Sequence, residues 1–358
     1  MKLPPGLSVP ASTSSSTSLV HKLQKSLYGL RGYMHSLNDY SVFTKGFGAS
    51  LVILVVYVDK IILTGTDFTK IFALKSFLHD QFKIKDLGLV NYFLSIEVLY
   101  TSSGVLLHQR KFIHDLLDEF HSLECTPVTC PLELNVKLKA KEVQHLSQFM
   151  QQPCHPHMKA ALHLLRYLKG SADSGVFYNN DPAMSLQLFC DSDWASCTDS
   201  KRSVIGFCIF LGGSLVGWKS KKQLVVSLSS AEAEYRSMSK AVAEVTWLSR
   251  LLSDLGVLLP TPVHVFCDSQ VALHIAKNPV FHEGTKHIEL DCHFVRAKLG
   301  DGLISLVHTP IASQTADILT KVLPGPAHHL HTRKLGVLSP SNLRGAVRIG
   351  KLDILDVG

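Results

Sequence analysis

The tetrapeptide Phe-Cys-Asp-Ser occurs twice in this chain, at 189–192 and again at 266–269. Each copy closes an apolar run, Ser-Leu-Gln-Leu-Phe-Cys ahead of Asp191 and Val-His-Val-Phe-Cys ahead of Asp268. Short apolar runs bounded by polar residues predict buried strands. A carboxylate therefore stands at the end of each of two strands. In open α/β sheets, ligands bind in the crevice beyond the carboxyl ends of the strands. Two such strands in one sheet can point Asp191 and Asp268 into one crevice, which narrows the folds available to the second half of the chain.

The segments around these strands fit a mixed sheet. Val204 to Leu211 and Leu215 to Lys219 flank Gly212–Gly213, a hairpin signal. Gln223 to Leu228 reads as a third strand. A long helix follows, with Ser229 as N-cap and Glu232 three residues on, as in a capping box. Tyr235, Met238, Val242, Val245, Leu248, Leu252 and Leu255 form its apolar stripe, and Gly256 suits the C-cap. Glu234 lies at the N-terminal end of the buried face, so it reaches the sheet rather than open solvent. Val263 to Cys267 is a strand with a helix after it. Ile288 to Leu299 is helical, Leu303 to Val307 a strand, and Ser313 to Leu323 a last helix with Asp317 in its first turn. Strands followed by strand–helix alternation predict a mixed α/β (α+β) sheet.

The first half is less regular. Leu51 to Leu63 predicts two buried strands joined by a tight turn around Val58–Lys60, and Phe68 to Phe82 a helix with Phe72, Phe77, Leu78 and Phe82 at apolar spacing. Tyr92 to Val98 and Gly104 to His108 read as strands, Lys111 to Phe120 and Met158 to Leu168 as helices. Thr126 to Gln152 shows no clear period. Gly, Ser, Asn and Asp cluster at Gly170 to Pro182, which places a domain boundary there. Residues 1–20 hold the low-complexity run Ala11–Ser18 and read as disordered.

Composition limits the function classes. The net charge is +7, from 36 Lys and Arg against 29 Asp and Glu, which suits a polyanionic partner without proving one. Eight cysteines form no CxxC pair, so zinc-ribbon spacing is absent, and a chain this large needs no disulfide scaffold. Cys154, His155 and His157 have no second ligand pair at useful spacing and read as an ordinary loop. The longest apolar stretch, Leu51 to Val58, falls short of the roughly 20 residues that cross a bilayer. No signal peptide is visible, and an intracellular, reducing compartment is expected, cytoplasm or nucleus being left open.

Asp191, Glu234, Asp268 and Asp317 thus form the candidate constellation. Gathered carboxylates repel one another and raise each other's pKa. A divalent cation between them removes that cost, and hard oxygen ligands suit magnesium, with manganese as a substitute. Two such ions about 4 Å apart activate water and stabilise a leaving 3′ oxygen. The plainer reading is that an Asp after a strand is a turn or cap residue and that Glu234 complements the helix dipole.

The surrounding words resolve the choice. CDSDWASCTDSKRS at 190–203, GFCIFLGG at 206–213, WKSKKQ at 218–223, SLSSAEAEY at 227–235, FCDSQVALHIAKNPVFHEGTKHIELDCHFVR at 266–296 and SQTADILTKVL at 313–323 together resemble the ribonuclease H domain of copia-type retrotransposon Pol polyproteins. The resemblance implies a five-stranded mixed sheet with flanking helices. It also implies a tetrad that holds two magnesium ions to cut the RNA strand of an RNA–DNA hybrid. On the matching words Asp191, Glu234, Asp268 and Asp317 are that tetrad, with Glu232 the weaker alternative to Glu234. Gly284 stands where the family has arginine more often, and Gly217 where it has serine. Lys219, Lys221 and Lys222 are candidate phosphate contacts, against the alternative of a solvated face.

KLQKSLYGL at 22–30, SVFTKGFGASLVILVVYVDKIILTG at 41–65, FLSIEV at 93–98, LSQFMQQP at 146–153 and ALHLLRYLKG at 161–170 resemble the reverse transcriptase of the same elements. The family has two consecutive aspartates after Tyr-Val. Here Asp59 is followed by Lys60, and an ammonium where a metal carboxylate belongs repels the cation. The strand with the third carboxylate is missing, and segments are missing after Leu30 and before Val143. Asp59 is read as a vestigial polymerase site.

The resulting expectation is a disordered N-terminus at 1–20, an incomplete reverse transcriptase palm and thumb remnant at 21–170, a ribonuclease H domain at 183–325 and a C-terminal tail at 326–358. Its partner is an RNA–DNA hybrid, with no membrane and no small-molecule cofactor. The rival expectation is an inert retroelement relic that at most binds nucleic acid.

Overall fold

A computed structural model describes residues 32–132, 153–197, 200–278, 288–343 and 352–356. The expected disorder at 1–20, most of the aperiodic stretch 126–152 and Gly284 lie outside them. The chain divides into two compact units. One takes in the described residues up to Val90, those of Arg250–Val257 and those after Gly350; the other takes in Asn91–Ser249 and the described part of Leu258–Ile349.

In the first unit a sheet of six strands is built by antiparallel pairing in the order Met34–His35, Val42–Lys45, Val52–Tyr57, Lys60–Gly65, Asp353–Asp356, Lys85–Leu89. The tight turn falls where the sequence places it, with Val58 at φ 52°. The helix Phe68–Phe82 has the expected bounds, and Asp67 caps it by accepting the Lys70 N–H. Its buried side is Ile71, Leu74 and Leu78, whereas Phe72 and Phe77 are exposed. The difference is one of phase: the 3.6-residue stripe that meets Val52, Leu54, Ile61 and Leu63 starts one residue earlier than the phenylalanines suggest. Residues 353–356, expected to be tail, form an inner strand of this sheet.

The second unit contains two sheets. One joins Val337–Leu338, Gly175–Asn179, Gly104–His108, Ile96–Thr101 and Tyr92–Phe93. Its second strand occupies the stretch expected to be a linker, and its first comes from the expected tail. The Cys154–His157 cluster caps the helix His155–Ser171, with His157 Nδ1 accepting the Cys154 N–H at 3.0 Å.

The other sheet carries the repeated tetrapeptide. Its strands are β1 (Leu186–Asp193), β2 (Val204–Leu211), β3 (Ser214–Lys222), β4 (Val263–Cys267) and β5 (Ile304–His308). They lie in the order β3-β2-β1-β4-β5, antiparallel across β3-β2-β1 and parallel across β1-β4-β5. This is the mixed five-stranded sheet that the family resemblance implies. Gly212 and Gly213 both take positive φ, 56° and 77°, as a two-residue hairpin turn requires. Helix α1 (Ser230–Asp254) packs Tyr235, Met238, Val242 and Val245 onto Leu186, Leu188 and Cys190 of β1. Helices α2 (Gln270–Lys277) and α3 (Glu289–Gly300) complete that layer. The opposite face takes the single turn α4 (Asp317–Thr320) and helix α5 (Gly325–Lys334), whose flank supplies Leu335 to a smaller cluster with Cys208 and Phe210.

Two expectations fail here. Gln223–Leu228 is not a strand: Gln223 N–H donates to Ser203 O, then Ser227 Oγ donates to the Gln223 side chain and Leu228 N–H to Glu232. The segment is spent on capping α1, and Leu224 and Leu228 face solvent at 78% and 75% exposure. Ser313–Leu323 is not one helix. Gln314 is fully buried, donating to Cys190 O and accepting the Ala316 N–H, so its side chain replaces the helical bond and only Asp317–Thr320 coils.

Gly206 pairs with Asp191 across β2 and β1. A Cβ there would meet Thr320 Cγ2 at 2.6 Å and Leu319 Cβ at 2.9 Å, so the bare glycine is what lets α4 lie on the sheet. Gly206→Val is expected to cost about 1–3 kcal/mol by overpacking. Thermal unfolding of the full chain checks this, and an unchanged melting temperature would show that α4 moves freely.

Candidate active site

Asp191 is the most constrained of the four carboxylates. It sits inside β1 rather than after it, 1% exposed, on the face opposite Cys190. Its Oδ2 accepts a hydrogen bond from Thr320 Oγ1, and its Oδ1 lies 3.2 Å from Lys321 Nζ. Asp317 opens α4 and holds the same ammonium at 2.6 Å through Oδ1. Asp268 follows β4 and is half-buried. Ligand oxygens of Asp191, Asp268 and Asp317 all lie within 4.8 Å of one another.

Glu234 comes from the first turns of α1 and is 8% exposed. Its Oε1 accepts the Ser192 N–H at 3.2 Å, and its Oε2 is buried with no partner. It shares a second group of ligand atoms, again within 4.8 Å, with Cys267 and Asp268. Glu232, two residues earlier, is committed elsewhere: Arg236 binds its Oε1 at 2.8 Å and Leu228 N–H donates to its Oε2. Helical phase thus turns Glu234 toward the other three carboxylates and Glu232 toward the cap.

The electrostatics follow from the crowding. Burial, with the Asp191 charge second, pushes Glu234 up to about 10 from an ordinary 4.5. Burial also raises Asp268 and Asp317, each then affected by Asp191 and by the opposing pull of Lys321. The two carboxylates hold the Lys321 ammonium well above its ordinary value despite burial. An orphaned buried oxygen and an oxygen-rich donor set suit a hard divalent cation. Sequence reasoning missed Thr320 and Lys321. Asp317 and Lys321 are spaced i,i+4, a pairing visible in the sequence, but nothing there shows that β1 passes beside them.

Lys219, Lys221 and Lys222 line one cleft of about 400 Å³ together with Arg236 and Lys240. Ser220, pointing the other way from β3, donates to Leu319 O and anchors α4. Lys219 lies 3.9 Å from Glu244 and Lys222 donates to Cys197 Sγ at 3.2 Å. In the first unit Asp59 sits at the hairpin turn. Lys60 pairs with it at 3.1 Å and with Asp356 at 2.7 Å, so the ammonium lies where the second family aspartate would be and is tied in place. Among the described residues, no helix is long and apolar enough to cross a membrane.

Comparison with known proteins gives the class first. Residues 31–134 match the family model for reverse transcriptase (RNA-dependent DNA polymerase). The chain is 34% identical over 365 residues to the retrovirus-related Pol polyprotein from transposon RE1 of Arabidopsis thaliana, covering 89% of this chain and 25% of that protein. It is 30% identical over 379 residues to that from transposon TNT 1-94 of Nicotiana tabacum, covering 90% and 28%. The chain thus spans about a quarter of the length of these curated relatives. An uncharacterised mitochondrial protein of Arabidopsis thaliana is 34% identical over 225 residues, 94% of its length. The chain belongs to the Pol polyproteins of copia-type retrotransposons. Solved structures it resembles include LC11-RNase H1 in complex with an RNA/DNA hybrid, at 16% identity and a TM-score of 0.31 over 38% of this chain and 94% of that one.

The raised carboxylates set a pH dependence. An acid whose folded pKa lies above its unfolded one contributes fully below the unfolded pKa and loses that contribution as pH rises through the folded one. For Glu234 the window runs from 4.5 to about 10. The metal-free chain is therefore expected to lose stability across that window, by at most about 1.4 kcal/mol per pH unit for one proton. Glu234→Gln, neutral throughout, should flatten the profile. Melting curves in chelator from pH 5 to pH 9 decide it, and parallel profiles for the two proteins would refute the burial argument.

Proposed function

We propose that residues 183–325 act as a ribonuclease H, hydrolysing the RNA strand of RNA–DNA hybrids with divalent cations held by Asp191, Glu234, Asp268 and Asp317. The observation that carries the reading is the buried, unpartnered Glu234 Oε2 beside Asp268, with Asp191 and Asp317 gathered on the same Asp268. Magnesium, or manganese in its place, bound there supplies the charge that activates water and steadies the departing 3′ oxygen. Asp191 is held rigidly by Thr320, Ser192 N–H orients Glu234, and the half-buried Asp268 leaves the site open on one side. The larger core cluster draws only on residues 186–306, while the cluster on the α4 face adds Leu335 with Val176 and Val337 packed against it, so the proposed nuclease segment 183–325 borrows packing from residues on either side of it.

The carboxylates are acceptors only, so affinity for a nucleic-acid backbone must come from cations. Lys219, Lys221 and Lys222, which line a cleft separate from the four carboxylates, supply them in this reading. The cleft also favours the second reading, an inert relic that only binds nucleic acid, and cleavage separates the two. Polymerisation is not part of the function, because Lys60 occupies the place of a metal-binding carboxylate.

Labelled hybrid incubated with the full chain and magnesium is expected to be cut, and Asp191→Asn and Asp268→Asn each to abolish cutting. Asparagine keeps the shape and removes the metal-binding charge. A variant that still cuts would sink the tetrad assignment, and a wild type that binds hybrid without cutting would leave the relic reading standing. Changing Lys219, Lys221 and Lys222 together to Gln should weaken hybrid binding and reduce the slope of log K against log salt by about 0.9 for each phosphate that the variant no longer neutralises. An unchanged salt slope would return these lysines to a solvated surface. Neither the full chain nor Lys60→Asp is expected to extend a primer on an RNA template; extension by either would show that the missing segments are dispensable.

A further inference from the structure

The tetrad already contains a cation. Lys321 Nζ lies 2.6 Å from Asp317 Oδ1 and 3.2 Å from Asp191 Oδ1, and those carboxylates share a ligand-sized space with Asp268. The carboxylates that pair with this ammonium are the same ones that would hold a metal ion. The pairing is built by the fold: α4 is a single turn, Gln314 fixes its start on β1, and Gly206 lets it lie on the sheet. The i,i+4 step from Asp317 then swings Lys321 over Asp191. Glu234 Oε2, buried and unpartnered, groups with Cys267 and Asp268 and takes no part in the ion pairs that Lys321 makes with the other two.

We propose that Lys321 is a built-in counter-cation that occupies the cation position between Asp191 and Asp317 and is displaced when a divalent metal enters, so that it sets the metal affinity of the site. The inference rests on the metal-binding reading above and assigns a residue to it. Without its ammonium, the metal-free site would hold bare like charges on a strand that is 1% exposed at Asp191. With it, a metal must compete for oxygens that are already paired. Lys321 is 36% exposed on its side chain, so a released ammonium has a path to solvent or to a bound phosphate without unfolding α4. This makes Lys321 a positioning residue whose removal should strengthen binding of the metal, the reverse of what loss of a ligand does.

The test uses the full chain without nucleic acid. Manganese affinity is measured by calorimetry for wild type, Lys321→Met and Lys321→Arg, together with melting temperature in chelator. Lys321→Met should bind manganese at least about tenfold more tightly and melt earlier without metal, while Lys321→Arg, keeping the charge, should stay near wild type. Equal or weaker binding by a folded Lys321→Met overturns the proposal but leaves the metal site intact. Absence of manganese binding in every chain removes the metal reading and this inference with it. Should Lys321→Met fail to fold, wild type alone decides: acylation of Lys321 by an amine-reactive ester, read by mass spectrometry, should rise when magnesium is added. Labelling that stays level or falls shows that the ammonium remains in place and overturns the proposal.

Discussion

The mixed five-stranded sheet of the second unit is organised around one buried carboxylate. Asp191 lies within a strand at 1% exposure, where a lone carboxylate is costly unless it is paired. The features nearby answer that cost. Thr320 and Lys321 reach it from α4, Gly206 makes room for α4, and Gln314 and Ser220 hold the ends of that short turn to β1 and β3. Asp268 and Asp317 sharpen the problem by adding like charges. The arrangement is a crowded pocket of acceptors, whose mutual repulsion a cation relieves.

The first unit shows the opposite balance. Its hairpin retains one aspartate, and the neighbouring position carries an ammonium neutralised by Asp59 and Asp356. A charge pair of that kind is locally satisfied and has no need of a metal. The antiparallel sheet persists around it because its stability comes from Val52, Leu54, Ile61, Leu63 and Leu355, none of which depends on the site chemistry. Side chains at the turn and packing of the sheet are thus separable in one chain, since cores and turns draw on different residues.

Much of this is legible in the linear chain, for identifiable reasons. The sheet strands are visible because apolar runs ending in Cys-Asp repeat, and the hairpin because Gly212–Gly213 supplies two positive φ angles. Helix α1 declares its cap and its stripe, whereas Glu232 and Glu234 are both buried and only their partners, the cap and Arg236 for one and Ser192 for the other, tell them apart. The phase of Phe68–Phe82 is not legible in the same way, because its large aromatics suggest one buried set whereas the sheet accepts Ile71, Leu74 and Leu78. Gln223–Leu228 misleads because apolar, β-branched residues carry a strand signal even when their backbone is used to cap a helix.

By itself the sequence determined the family, the strands that end in Cys-Asp, the Gly212–Gly213 hairpin and the long helix after it, and it singled out four carboxylates as candidates. Each of these depends on local pattern, on residues a few positions apart. The tertiary structure alone decided that Asp191 sits within its strand, that Ser313–Leu323 shortens to one turn, that residues 353–356 form an inner strand, and that Lys321 lies between Asp191 and Asp317. Those facts depend on pairings between residues far apart in the chain, such as Lys321 with Asp191, 130 positions away. No local propensity encodes such a pairing. It arises when the sheet closes and burial makes each polar group find a partner.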